Sequence, residues 1–247
     1  MHYFKLGTIL GLAVVILMTA FPAQAQELSL SIDGAESLTT RSIQLIVLIT
    51  LLSLVPGLAV MVTCFPFIVT VLSILRQAIG LQQSPPNMMI VSLALFLTYF
   101  VMDPVFTESW TTGVEPLMEG AMTVEEALPE IMDPFRKFMV SRVSEETFSN
   151  LAELREDPEN PISLSNDVDL SLLVPSFLLS EIERAFQIGF LVFLPFLIID
   201  LVVSAILMSM GMMMVPPAIV SLPFKLAFFV VSDGWSLLAS ALVRSYM

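Results

Sequence analysis

Three features of this sequence predict an all-α, membrane-associated fold of kinked and broken helical hairpins that carries an acidic helical insert outside the membrane. The first is composition. Of 247 residues, 56% are hydrophobic and 13% charged, with a mean hydropathy of +0.89, too little polar surface to solvate a globular domain of this size. The second is where the charge lies: 16 acidic and four basic residues between Asp103 and Asp169 account for -12 of the formal -13. The third is irregularity, since every apolar run long enough to cross a membrane contains proline or an ionisable residue. Unsatisfied backbone and charge at membrane depth cost several kcal/mol each, so such runs need protein or water around them. With no basic cluster, nucleic acid is not an expected partner.

Residues 1–25 read as a cleaved signal peptide. Lys5 precedes an apolar stretch from Leu6 to Phe21, and Ala23-Gln24-Ala25 fits a small-residue cleavage site. Cleavage after Ala25 would remove His2, the sole histidine, and with it histidine-based triads, zinc sites and proton relays. Cys64 is the lone cysteine, so neither an intrachain disulfide nor a thiolate cluster is available, and it reads as a small buried apolar residue. Neither an enzyme nor a cofactor is expected.

Residues 26–102 hold the N-terminal apolar helices. Ile43 to Leu75 runs for 33 residues without charge, roughly 50 Å as one helix against about 30 Å of hydrocarbon. Breaks are expected at Pro56-Gly57 and at Pro66, giving a kinked or re-entrant pair. Arg76 in the last turn, Gly80 and Pro85-Pro86 mark the end of the second helix. Met88 to Met102 follows as a 15-residue apolar block, short for a span.

Residues 103–174 form the acidic insert. Thr123 and Glu126 make a capping-box pattern, and Ser144-Glu145-Glu146 an acidic helix start, so two amphipathic helices are expected. Phe135, Phe138, Met139, Val143, Phe148 and Leu151 would form their apolar face, and the Pro-, Ser-, Asn- and Asp-rich stretch from Asp157 to Asp169 a loop.

Residues 175–247 hold the C-terminal apolar helices. A capping box at Ser180 and Glu183 suggests a helix start before the run from Ala185 to Leu207. Asp200 and Lys225, one on each of the last two apolar segments, are a complementary pair at membrane depth. Between them lies a methionine-rich loop, 208–217, reading MSMGMMMVPP. Gly211 permits a tight turn, and Pro216-Pro217 ends the loop. Thioethers are flexible and apolar, so Met212, Met213 and Met214, with Met208 and Met210 beside them, suit a seal that deforms around a passing chain and closes again. The same spacing admits soft-metal binding of Cu(I), and the Asp200–Lys225 pair admits an ion or proton transporter. An intramembrane protease would need supporting motifs that Asp200 and Asp233 lack. Arg76 on the inner side and the acidic insert outside agree with the positive-inside tendency.

The runs LSILRQAIGLQQSPPN (72–87), LALFLTYFVMDPV (93–105), FLLSEIERAFQIGFLVFLPFLIIDLVVSAILMSMGMMMVPP (177–217) and SLPFKLAFFVVSDGW (221–235), with DPFRKFM (133–139) in the insert, resemble the FliP family of flagellar type III export-gate proteins. The resemblance covers nearly the whole mature chain. It implies a non-enzymatic pore protein that forms a homo-oligomeric ring of five with FliQ and FliR, with FlhB a further partner. Such a ring passes unfolded flagellar subunits across the bacterial inner membrane, in the flagellar basal body, with the acidic insert on the periplasmic side. The related component of virulence injectisomes is the alternative, to which SPPNM is slightly closer; the signal peptide, the long acidic insert and Pro216-Pro217 favour the flagellar branch. By the same resemblance the methionine loop is the constriction. Glu181 and Arg184, at i,i+3, are candidates to bridge subunits of the ring or to pair within their helix, and Arg76 is a further candidate contact. The sequence departs from relatives at TCFPFI (63–68), where Pro66 and Phe67 replace a polar and basic pair, which puts that contact in doubt and makes a kink at Pro66 expected.

Overall fold

The computed structural model describes residues 38–81, 84–155, 163–212 and 214–246. The expected signal peptide lies outside the described residues, as do Met213 and the first part of the 157–169 loop. Every regular element among the described residues is helical. The elements are α1 (Leu38–Met61), α2 (Phe65–Ile79), α3 (Asn87–Ser109), a π-helical turn (Trp110–Val114), α4 (Glu115–Met118), α5 (Val124–Arg142), α6 (Glu145–Glu153), α7 (Leu170–Ser209), α8 (Pro217–Val231) and α9 (Gly234–Arg244). The chain divides into two compact units inside α1, at Ile49–Thr50. Among the described residues the first unit contributes only the start of α1, and the second holds every later element and both hydrophobic cores. Among the described residues three helical stretches are long and apolar enough to cross a membrane: Ser42–Met61, Asn87–Met118 and Leu170–Ser209. The pair α8–α9, bent by 61°, has the length and composition of a broken span or a re-entrant loop.

Pro56 and Gly57 do not break the first helix, contrary to expectation. Both lie within α1. The chain turns instead at Val62–Cys64, where the Thr63 hydroxyl donates to the Val60 carbonyl (2.8 Å) and accepts from the Phe65 N–H (3.4 Å). Groups that a free helix end would leave unpaired are thereby satisfied locally. Pro66 sits in the first turn of α2, where its missing N–H costs nothing, so it starts a helix rather than kinking one. Helix α2 ends as the sequence indicates, on Gly80 at φ +89° with its N–H bonded to the Gln77 carbonyl.

Helix α2 buries Phe67, Ile68, Val71, Leu72, Leu75, Ala78 and Ile79, one face at helical spacing, in the main core. Its largest neighbour is α7, and Gly189 marks their crossing: a Cβ there would stand 2.3 Å from the Ile74 Cδ1. The helix that begins at Asn87 also exceeds its expected 15 residues. It runs through Asp103 and Pro104 and on through the π-helical turn, because Asp103 faces outward and ends the apolar composition without ending the helix. Gly113 in that turn meets α5, where a Cβ would lie 2.4 Å from the Ile131 side chain and 2.9 Å from its backbone nitrogen. Ser109 bonds the Ile131 carbonyl at the same crossing (2.9 Å).

In the insert, the Thr123–Glu126 capping box is complete: the Glu126 N–H donates to Thr123 Oγ1 (3.4 Å) and the Thr123 N–H to Glu126 Oε2 (3.0 Å). The Thr123 N–H, and after it the Thr123 hydroxyl donating to the same Oε2 (3.0 Å), favour the carboxylate and hold Glu126 below the usual glutamate range. Met139, Val143 and Phe148 are buried in a second core with Val168, Leu172, Leu173 and Phe177, while Leu151 packs against that core, Phe135 against the main one and Phe138 against both. The capping box expected at Ser180 is not one. Helix α7 begins ten residues earlier, with Asp169 at its N-cap position, and Pro175 and Pro195 both lie inside its 40 residues. The Ser180 hydroxyl bonds back to the Ser176 carbonyl (2.8 Å) and accepts the Ser144 N–H at the start of α6 (3.0 Å), so it caps a neighbour rather than its own helix.

Candidate functional site

The methionine loop joins α7 to α8. Helix α7 closes in a Schellman turn: the Gly211 N–H bonds the Met208 carbonyl (3.0 Å) and the Met212 N–H the Leu207 carbonyl (3.0 Å). Gly211 takes φ +75°, a left-handed conformation that suits glycine and strains other residues. Pro216 is extended, and Pro217 occupies the first turn of α8. The turn therefore has fixed ends and an exposed crown. Met208 is 59% exposed, Met210 66%, Met212 37% and Met214 97%. A hollow of about 520 Å³ below the crown is lined wholly by apolar side chains, among them Val203, Leu207, Met210, Met212, Val220 and Phe224.

Ten residues before Met210 the two legs of the loop meet at an ion pair. Asp200 on α7 accepts from Lys225 Nζ at 2.7 Å through Oδ2 and from the Ser221 hydroxyl at 2.6 Å through Oδ1. Ser221 and Lys225 stand one turn apart on α8, so both grip one carboxylate. Lys225, 5% exposed, also donates to the Ala78 carbonyl (3.0 Å). That carbonyl is one of the last four of α2, which lack an intrahelical donor. Sequence reasoning found Asp200 and Lys225 but missed Ser221 and Ala78. The i,i+4 spacing of Ser221 and Lys225 was the available signal for the first, and a main-chain acceptor leaves none.

The structure corrects the expectation for Glu181. Its carboxylate is fully buried inside the chain, where it accepts from Arg142 Nε (3.2 Å) and from the Tyr246 hydroxyl, so it is not available to a neighbouring subunit or to Arg184. Arg142 also donates to the Ser245 carbonyl (2.9 Å) and stacks on the Tyr246 ring at 4.1 Å. This cluster joins the end of α5 to α7 and to the C-terminal end of α9. Burial first, and then the Glu181 charge, push the Tyr246 phenol well above its ordinary range. Phe67, where relatives were expected to carry a basic residue, is buried edge-on against Tyr246 (5.4 Å). Arg184 is half-buried and makes no ion pair among the described residues, and Arg76 donates to Asn87 at the start of α3. Cys64 is buried, and burial raises its thiol to about 12, which leaves it unreactive at neutral pH.

Known proteins place the chain among relatives. The profile of the FliP family matches residues 48–242. "Flagellar biosynthetic protein FliP" of Caulobacter vibrioides is 45% identical over 98% of this chain and 90% of its own length. The proteins of the same name from Agrobacterium fabrum (43%, covering 95% and 98%) and Bacillus subtilis (43%, covering 83% and 92%) are similar over comparable lengths. A match of this extent leaves no part of the helical core unaccounted for, and the chain belongs to the FliP family.

Proposed function

We propose that this protein is a non-enzymatic core component of the flagellar protein-export apparatus, and that its methionine loop closes a conduit for unfolded flagellar subunits. The carrying observation is the loop itself: four described methionines crown a hydrogen-bonded helix-end turn between two apolar legs, exposed where a buried core methionine would be covered. Unbranched thioethers repack at low cost, and a dry apolar constriction stops ions by dewetting. The flagellar assignment follows the names of the relatives, which are flagellar biosynthetic proteins rather than injectisome components. In this reading copies of the chain form a ring, five by family resemblance, with FliQ, FliR and FlhB as partners. The apparatus sits in the bacterial inner membrane and the acidic insert faces the periplasm. Exposed apolar residues such as Phe186, Phe190, Leu201 and Val231 give that ring surface to bury.

The test is replacement of Met212, Met213 and Met214 by alanine in the assembled apparatus. Leak of ions through cells that still export flagellar subunits is the expected result. A tight membrane with normal export would remove the gate reading.

A further inference from the structure

The methionine loop has no base of its own. Above the ion pair the described side chains that line the space between its legs are apolar, among them Val203 and Leu207 on α7 and Val220 and Phe224 on α8, around a hollow of about 520 Å³. Dispersion contacts of this kind are non-directional, so they let one helix slide or splay against the other. Below them the bonding changes character. Asp200 takes one hydrogen bond from Ser221 and one from Lys225, a full turn apart, and such a two-point, charge-assisted grip fixes both register and rotation of α8 on α7. Lys225 spends another of its three donors on the Ala78 carbonyl at the end of α2. Leu222, between the two gripping residues on α8, lies where a Cβ on Gly80 would meet it at 3.6 Å. The legs are thus tied to each other and to a third helix at one place, and among the described residues no hydrogen bond or ion pair joins them between that place and the crown.

We propose that the Asp200–Ser221–Lys225 clamp, seated on the Ala78 carbonyl, is a positioning device that sets the spacing of the methionine loop's two legs and so the closed position of the loop. The proposal rests on the reading of that loop as a gate. Asp200, Ser221 and Lys225 touch no transported chain; they act through the loop. Any shift of the end of α2 reaches the crown through Lys225, because that side chain bonds α2 and α7 at once. An ion pair at this depth is weak evidence for stability, since a well-packed apolar substitute is often as stable. Directional fixing of two helices is what such a substitute would not supply.

Paired spin labels at Met208 and Ile219, exposed residues on either leg, read the spacing directly in the assembled apparatus. Buried Cys64 stays unlabelled. Lys225→Met keeps the length and removes the charge. With assembly retained, the label distances are expected to broaden and shift outward and ion leak to rise, and Lys225→Arg is expected to restore both. An unchanged distance distribution in Lys225→Met overturns the clamp. So does an unchanged leak in that variant when alanine at Met212 and Met214 does leak, in which case the gate survives without it. Broadened distances where neither set of variants leaks would keep the clamp and remove the gate. Should Lys225→Met fail to assemble, Ser221→Ala removes one of the two grips. A smaller broadening is then expected, and none would count against the proposal.

Discussion

The insert and the C-terminal hairpin use apolar side chains in opposite ways. In α5 and α6 most of the apolar face is buried within the chain: Met139, Val143, Phe148 and Ala152 pack against the first turns of α7, Val124 and Leu128 at the start of α5 stay exposed, and the rest of the outward face is acidic. In α7 and α8 the apolar residues continue around the helix. Phe190 is 63% exposed and Val231 87%, while the polar groups, Asp200, Ser221 and Lys225, turn inward. A helix whose polar groups face its neighbours and whose apolar groups face out is built to be covered by lipid or by protein. The insert buries most of its apolar face inside the chain, and the hairpin leaves most of its own exposed.

That contrast is broken most severely at the one place where the two regions share a buried charge. Removing Glu181 strands Arg142, whose side chain is 13% exposed, so Glu181→Ala is expected to destabilise by about 3–5 kcal/mol. Urea unfolding of the detergent-solubilised protein measures it, and Arg142→Ala combined with Glu181→Ala should cost less than Glu181→Ala alone. Gly189→Ala comes next. Its Cβ would overlap Ile74, and overpacking of this kind costs about 1–3 kcal/mol, relieved in part by Ile74→Val. The same unfolding assay reads both.

Within the insert, Thr123→Ala removes an exposed N-cap and should cost about 1 kcal/mol. Its pH dependence sharpens the point. Because the folded pKa of Glu126 is depressed, the cap's contribution is present above the unfolded glutamate value and is lost as pH falls through the folded one. Unfolding midpoints of wild type and Thr123→Ala should therefore converge on acidification. The smallest effect belongs to the hairpin crown. Met214, almost fully exposed, should tolerate Met214→Ser within about 0.5 kcal/mol in the isolated chain, whatever that change does to the assembled apparatus.

Local chemistry was legible in the sequence wherever a signal acts on its own helix. Gly80, the Thr123–Glu126 box and Gly211 each end or begin an element by backbone geometry that neighbours do not alter. Helix lengths were not legible, for a shared reason. Pro56 reads as a break, yet it sits inside a helix, as Pro104, Pro175 and Pro195 also do. The ion pair Asp200–Lys225 could be guessed because complementary charges in apolar runs have few other partners. Glu181 misled because Arg184 is close in sequence, whereas its partner Arg142 lies 39 residues away and is brought near only by the fold.

A photo-crosslinking residue placed at Met214, and separately at Phe190 on the outward face of α7, tests most directly whether the methionine crown faces the exported chain. With a flagellar subunit stalled in transit, the account predicts a crosslink to that subunit from position 214 and none from position 190. Crosslinking from 190 with silence at 214 would contradict it.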